Sequence, residues 1–283
     1  LIIINPDLLY PKNKEPDNQM LEISNISKTY SDSKILDSLN LKLHDGEIYS
    51  LLGENGSGKT TILNLLTGLL IPDYSKDGYI KINGITIKEN ETEYKKSFGY
   101  VQATPYFYEE LTIKEFLLFI ATLYDVELDE QRFENLAKIF EIDGDLFIGN
   151  LSFGQKQKVA IISTLIHRPG LLILDEPTIG LDPISLKFFK NLILSLKSFG
   201  VTILFATHIL EIAANLSDRI GILKDGQIYA EGTFEELRNL TDSKDQTLEE
   251  IFIKLTGGDK YHELLRTLEE LEKNEKNYYS DIY

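Results

Sequence analysis

Cysteine is missing altogether from the 283 residues, so neither a disulfide framework nor a thiolate metal site can exist here. A reducing compartment fits that absence. Long apolar runs are missing too: no window reaches the roughly 18 uncharged apolar residues that a membrane-crossing helix needs. The opening Leu1-Ile2-Ile3-Ile4 is broken off by Asn5, Pro6 and Asp7 and is too short for the core of a signal peptide. Methionine occurs once, as Met20, directly before the first strand-like run. The natural start is expected there, with residues 1–19 a flexible leader or an upstream remnant. Basic residues are in short supply: 29 Lys and Arg against 45 Asp and Glu leave a net charge of −16. Such a surface repels nucleic-acid backbones and anionic lipid, so no nucleic-acid partner is expected.

What remains is ordinary globular composition, 42% hydrophobic and 26% charged, with length for a well-buried core. Residues 21–52 read as strands, ending in the apolar run Glu47–Leu52 before Gly53. Helical spacing over Lys59–Leu70 puts Ile62, Leu63, Leu65, Leu66 and Leu69 on one face, and Pro72 with Asp73 stops it. Tyr79–Ile87 alternates around Asn83-Gly84, a hairpin signal. Residues 112–149 read as two or three helices, and 154–167 as another. Leu171–Leu174 and Val201–Phe205 are strand-like, separated by a helix over 184–198, and 219–230 is a second hairpin across Lys224-Asp225-Gly226. Alternating strands and helices predict an α/β core with a largely parallel sheet. An antiparallel β subdomain and an inserted helical subdomain, about 103–168, complete the expectation. The main domain is placed at 20–240 and an acidic helical tail at 241–283.

Gly53-Glu54-Asn55-Gly56-Ser57-Gly58-Lys59-Thr60 follows a strand and opens a helix, which is the P-loop pattern and context. Its glycines let successive N–H groups turn toward phosphate oxygens, and the helix N-terminus adds a favourable dipole. Lys59 is suited to the β- and γ-phosphates and Thr60 to magnesium, with Asn55 and Thr61 in the same nucleotide-binding segment. The loop points to ATP with Mg2+ on an NTPase core.

Further motifs then appear in a fixed order. Leu151-Ser152-Phe153-Gly154-Gln155 resembles the signature motif of ABC ATPases, and Leu171–Glu176 resembles their Walker B strand. Gly180-Leu181-Asp182 resembles the D-loop, Thr207-His208 the switch histidine, Gln102 the Q-loop glutamine and Tyr30 the adenine-stacking aromatic. The resemblance spans about residues 21–232 and implies roles for each. Asp175 and Gln102 join Thr60 around the metal, Glu176 serves as catalytic base, and His208 senses the γ-phosphate. Ser152, Phe153, Gly154 and Gln155 complete the site of a second chain, beside Leu181 and Asp182. Phe153 departs from the family's usual glycine, which leaves the packing of that loop open. His44, His167 and His262 match no motif.

By resemblance the chain is the ATPase subunit of an ABC transporter. It acts as a homodimer or with a homologous subunit, at the cytoplasmic face of a membrane, through separate integral permease subunits. Thr247–Gly258 resembles the closing stretch of ABC-2-type exporter subunits, which favours export. An importer motor and a soluble nucleotide-dependent switch stay open as alternatives.

Overall fold

The computed structural model describes residues 19–73, 77–128, 130–241 and 247–257. Two sheets organise the chain. The larger has the order β5-β6-β7-β3-β8-β9, built from β3 (Ile48–Gly53), β5 (Phe98–Val101), β6 (Leu171–Asp175), β7 (Thr202–Thr207), β8 (Arg219–Lys224) and β9 (Gln227–Gly232). All its pairings are parallel except β8 with β9. Every residue of β3, β6 and β7 is buried, as a strand covered on both faces requires. Successive side chains divide between the two sides. Leu172, Leu174, Ile203 and Phe205 enter one apolar cluster, while Leu171, Ile173, Leu204 and Ala206 enter the other.

On the first side lie α3 (Ile113–Leu123), α4 (Glu130–Phe140), α5 (Phe153–Leu165) and α6 (Pro183–Ser198). On the second side lie α1 (Lys59–Leu66) and the antiparallel sheet β2-β1-β4, made of β1 (Gln19–Tyr30), β2 (Ser33–His44) and β4 (Tyr79–Ile82). A third cluster joins Leu52 of β3 and Ile220 and Ile222 of β8 to α7 (Leu210–Leu216), α8 (Phe234–Asn239) and α9 (Leu248–Thr256). The expected architecture is therefore present: a largely parallel core, an antiparallel subdomain and an inserted helical block. Among the described residues no helix is long and apolar enough to cross a membrane.

Three expectations need correction or lie elsewhere. Helix α1 stops at Leu66, not Leu70, because Gly68 turns left-handed at φ 77°, its N–H bonding the Leu65 carbonyl at 3.3 Å and the Leu70 N–H folding back to the Asn64 carbonyl at 3.0 Å. The turn at Asn83-Gly84 closes only the single bridge Ile82–Ile85, since β4 spends its pairing on β1. Residues 1–18 and, of the expected acidic helical tail, 242–246 and 258–283 lie outside the described residues.

Candidate functional site

Strand register decides what meets what. Val101 pairs with Leu174, Asp175 with Ala206, and Leu52 with Thr207. The carboxyl ends of β5, β6, β7 and β3 therefore stand in one row, carrying Gln102, Asp175-Glu176, Thr207-His208 and Gly53. Ligands of open parallel sheets bind at this end, where helices turn back over the strands.

The Gly53–Thr60 loop runs from β3 into α1. Gly56 and Gly58 take φ of 83° and 107°, the latter as N-cap of α1 with no side chain bonded there. The first amides of α1 thus keep their donors for something outside the helix. A β-carbon at Gly53 would lie 2.3 Å from Ser57 Oγ, so the loop closes on itself only with glycine there. Lys59 is buried, and its Nζ donates to the Gly53 carbonyl at 2.8 Å and the Glu54 carbonyl at 3.2 Å. Burial pulls its pKa down, while the charges of Glu176 and Asp175 hold it up. Ser57 Oγ is buried without a partner, a donor in want of an acceptor. Thr61 lies half-buried in the same first turn.

Thr60 Oγ1 donates to Asp175 Oδ2 at 3.0 Å across 115 residues of sequence. Asp175 is buried, and its other oxygen, Oδ1, has no hydrogen-bond partner. Burial pushes its carboxyl above the usual aspartate range, opposed by the Thr60 bond. A cation fits this oxygen set. One carboxylate, a threonine hydroxyl and the Gln102 amide at the neighbouring strand end suit magnesium shared with phosphate and water rather than an all-protein cage. Accordingly, no group of three or more His, Cys, Asp or Glu gathers among the described residues.

Glu176 leaves β6 in the left-handed region, at φ 46°, a strained geometry that functional sites concentrate. Its N–H still bonds to the Ala206 carbonyl at 2.9 Å, so the backbone turn aims the carboxylate at β7. There Oε2 accepts from Thr207 Oγ1 at 3.1 Å and Oε1 accepts from His208 Nδ1 at 2.8 Å. That bond fixes the Nδ1 proton and leaves Nε2 free on a half-exposed ring.

The signature-like loop forms a second cluster. Ser152 caps α5 in a capping box with Gln155, Oγ accepting from the Gln155 amide at 3.3 Å. The Phe153 ring, 41% exposed, lies against Gly180, where a β-carbon would meet Phe153 Cδ1 at 2.7 Å. Gln157, one turn along α5, reaches the Pro177 carbonyl at 3.4 Å. The signature helix is thus fastened to the turn that follows Glu176. Beyond Leu181, Asp182 caps α6 by accepting from Ile184 and Ser185 amides at 2.9 and 3.0 Å. Among the described residues no hydrogen bond joins residues 152–155 to the 53–60 loop. Tyr30 ends β1 with its ring 43% exposed, 5.6 Å from the Lys28 ammonium.

Sequence reasoning missed Gln157 and His167. The second stacks on Tyr124 at 3.8 Å and donates Nε2–H to the Phe98 carbonyl at 2.9 Å, steadying the strand that leads to Gln102. Burial lowers its pKa to about 4. For Gln157 the available signal was a glutamine on the apolar face of α5.

The ABC transporter family profile matches residues 36–179. The ABC-type transporter ATP-binding protein EcsA of Bacillus subtilis is 35% identical over 248 residues, 86% of this chain and 99% of that protein. The bacitracin transport ATP-binding protein BcrA of Bacillus licheniformis is 36% identical over 222 residues, 77% of this chain and 71% of its own. Among solved structures, a dimeric ATP-binding cassette in a post-hydrolysis state, bound to ADP and Pi, superposes with a TM-score of 0.67 at 28% identity. It covers 76% of this chain and 98% of that one. The chain belongs to the ABC transporter family, as an ATP-binding subunit that hydrolyses ATP.

Proposed function

We propose that this subunit drives export through separate membrane-embedded permease subunits, held peripherally at the cytoplasmic face. The observation that carries the reading is the single row of strand ends bearing the P-loop, Asp175-Glu176 and Thr207-His208, with Gln102 beside them. Export is supported by the bacitracin-transport relative and by the Thr247–Gly258 stretch.

In this reading the loop amides and Lys59 bind the phosphates, and Tyr30 stacks on the adenine. Magnesium, held by Thr60, Asp175 and Gln102, supplies positive charge against the phosphate oxygens. Glu176 accepts a proton from the attacking water, whose oxygen bonds to the γ-phosphorus as the bridging P–O bond to ADP breaks. Thr207 and His208 keep the carboxylate aimed, and His208 Nε2 meets the γ-phosphate. Ser152 and the Gly154 amide act on the nucleotide of a second chain. Since one chain carries both half-sites, two identical copies suffice for two composite sites, and a homologous partner serves equally.

The trans arrangement has a direct test. With Glu176→Gln to slow turnover, ATP and magnesium should convert the monomer to a dimer by light scattering. Adding Ser152→Arg should abolish that dimer while leaving one nucleotide bound per chain. A Ser152→Arg chain that dimerises normally removes the signature loop from its trans role.

A further inference from the structure

Two tyrosines reach α1 from the segment that leads to Gln102, and they are held differently. Tyr94 is fully buried, and its hydroxyl donates to the Leu66 carbonyl at 2.7 Å, a closed structural bond. Tyr100 is half-buried, and its hydroxyl donates to Asn64 Oδ1 at 3.5 Å, the outer limit of a hydrogen bond. A phenylalanine ring would fill the apolar cluster beside Phe98, Leu171 and Ile173 equally well. The chemistry above gives neither this hydroxyl nor the Asn64 amide a task.

Their place in the fold singles them out. Tyr100 pairs in register with Ile173, so two residues further on the same two strands lead to Gln102 and Asp175. Thr60 and Asn64 stand four apart in α1, one turn from each other on a single helix face. That face meets the sheet here: Thr60 Oγ1 donates to Asp175 Oδ2 at 3.0 Å, and Asn64 receives the Tyr100 hydroxyl. Tyr100 and Asn64 therefore form a polar layer directly behind Thr60 and Asp175. Burial raises the pKa of the Tyr100 phenol and the charge of Asp175 adds to it, so hydroxyl and carboxylate share one electrostatic neighbourhood. Asp175 Oδ1, meanwhile, is buried without a hydrogen-bond partner.

Magnesium at a site with so few protein ligands keeps several of its waters, and those waters need acceptors for their protons. With its own proton committed to Asn64 Oδ1, the Tyr100 oxygen has lone-pair capacity left for one of them. We propose that the Tyr100 hydroxyl, oriented by Asn64, accepts from a water of the magnesium shell, making Tyr100 a positioning residue for metal affinity. The inference rests on the reading of Thr60 and Asp175 as metal ligands.

The test is equilibrium binding of a fluorescent ATP analogue to the full chain, with Glu176→Gln to slow turnover, once in EDTA and once in saturating magnesium. Tyr100→Phe keeps the ring and its packing. It should leave binding in EDTA at the parent value and cut the gain from magnesium about tenfold, the lower end of what losing an outer partner of a metal site costs. Mn2+ in place of magnesium should show the same loss directly, as a larger EPR signal from free ion at equal nucleotide and chain. Asn64→Leu should shift both readouts in the same direction. The double variant should be no worse than the weaker-binding single one, because the two residues act as a unit. An unchanged gain from magnesium, an equal loss with and without the metal, or losses that add in the double variant overturns the proposal. A parent chain whose binding gains nothing from magnesium overturns the metal reading beneath it.

Discussion

Replacing Glu176 by glutamine keeps nucleotide binding and lowers steady-state ATP turnover by about 10²–10⁴-fold, the range for loss of a positioned general base. The structure explains why binding survives. Glu176 makes its side-chain contacts with Thr207 Oγ1, the His208 amide and His208 Nδ1, and none with the 53–60 loop. A glutamine carbonyl still accepts from Thr207 and His208 N–H, and its amide faces Nδ1, which accepts once the imidazole switches tautomer. The left-handed turn at residue 176 is backbone geometry and carries over with a side chain of the same shape. What disappears is the proton acceptor. The check pairs single-turnover hydrolysis with binding of the fluorescent analogue. Normal hydrolysis by Glu176→Gln would remove that residue from its role.

Lys59→Ala produces the opposite split: affinity for the ATP analogue falls about 100-fold or more, and turnover goes with it. Charge-assisted hydrogen bonds to phosphate are worth roughly twice a neutral one, and this ammonium is buried, where its field is little screened. The variant also leaves the Gly53 and Glu54 carbonyls without the donor that holds them at 2.8 and 3.2 Å. It strips the cation whose charge offsets those of Asp175 and Glu176. Lys59→Arg should not restore affinity, because the planar fork cannot repeat a point charge reaching two carbonyls of the same curl. Titration of the analogue against each variant checks this; an affinity for Lys59→Ala within about threefold of the parent contradicts the assignment.

Much of this arrangement was legible beforehand, for physical reasons that differ by element. β3, β6 and β7 are buried on both faces, so they read as unbroken apolar runs bounded by glycine, aspartate or proline. The β8–β9 hairpin announced itself through Asp225-Gly226, whose positive φ values of 49° and 74° suit a tight turn. β5 escaped notice as a strand: it is four residues long and includes Gly99, where Thr164 approaches too closely for a side chain. The helix α2 (Glu91–Lys96) is short and polar, and α7 begins at Leu210 behind Ile209, an N-cap with no side-chain bond to mark it. Overextension of α1 followed from Leu69 and Leu70 continuing the helical period; Leu69 is in fact 60% exposed. The motifs named the residues at the strand ends, since each sits in a local pattern. Contacts such as Thr60 with Asp175, or Phe153 with Gly180, depend on sheet order and helix placement, which no local pattern encodes.

The fastening of α5 to the Glu176–Gly180 turn gives Phe153 a physical purpose. Its ring fills the space above Gly180, whose own φ of 72° admits no side chain without strain. The 152–155 loop is thereby packed against the 177–180 turn.

The most direct test of the transporter reading is capture of the membrane partner. Tagged Glu176→Gln chain is expressed in the native host, the membranes are solubilised gently with ATP and magnesium present, and the co-purifying proteins are identified. Recovery of a polytopic membrane protein that lacks its own nucleotide site is the predicted result. Recovery of soluble partners alone, with nothing from the membrane fraction, contradicts it and makes the chain a nucleotide-dependent regulator instead.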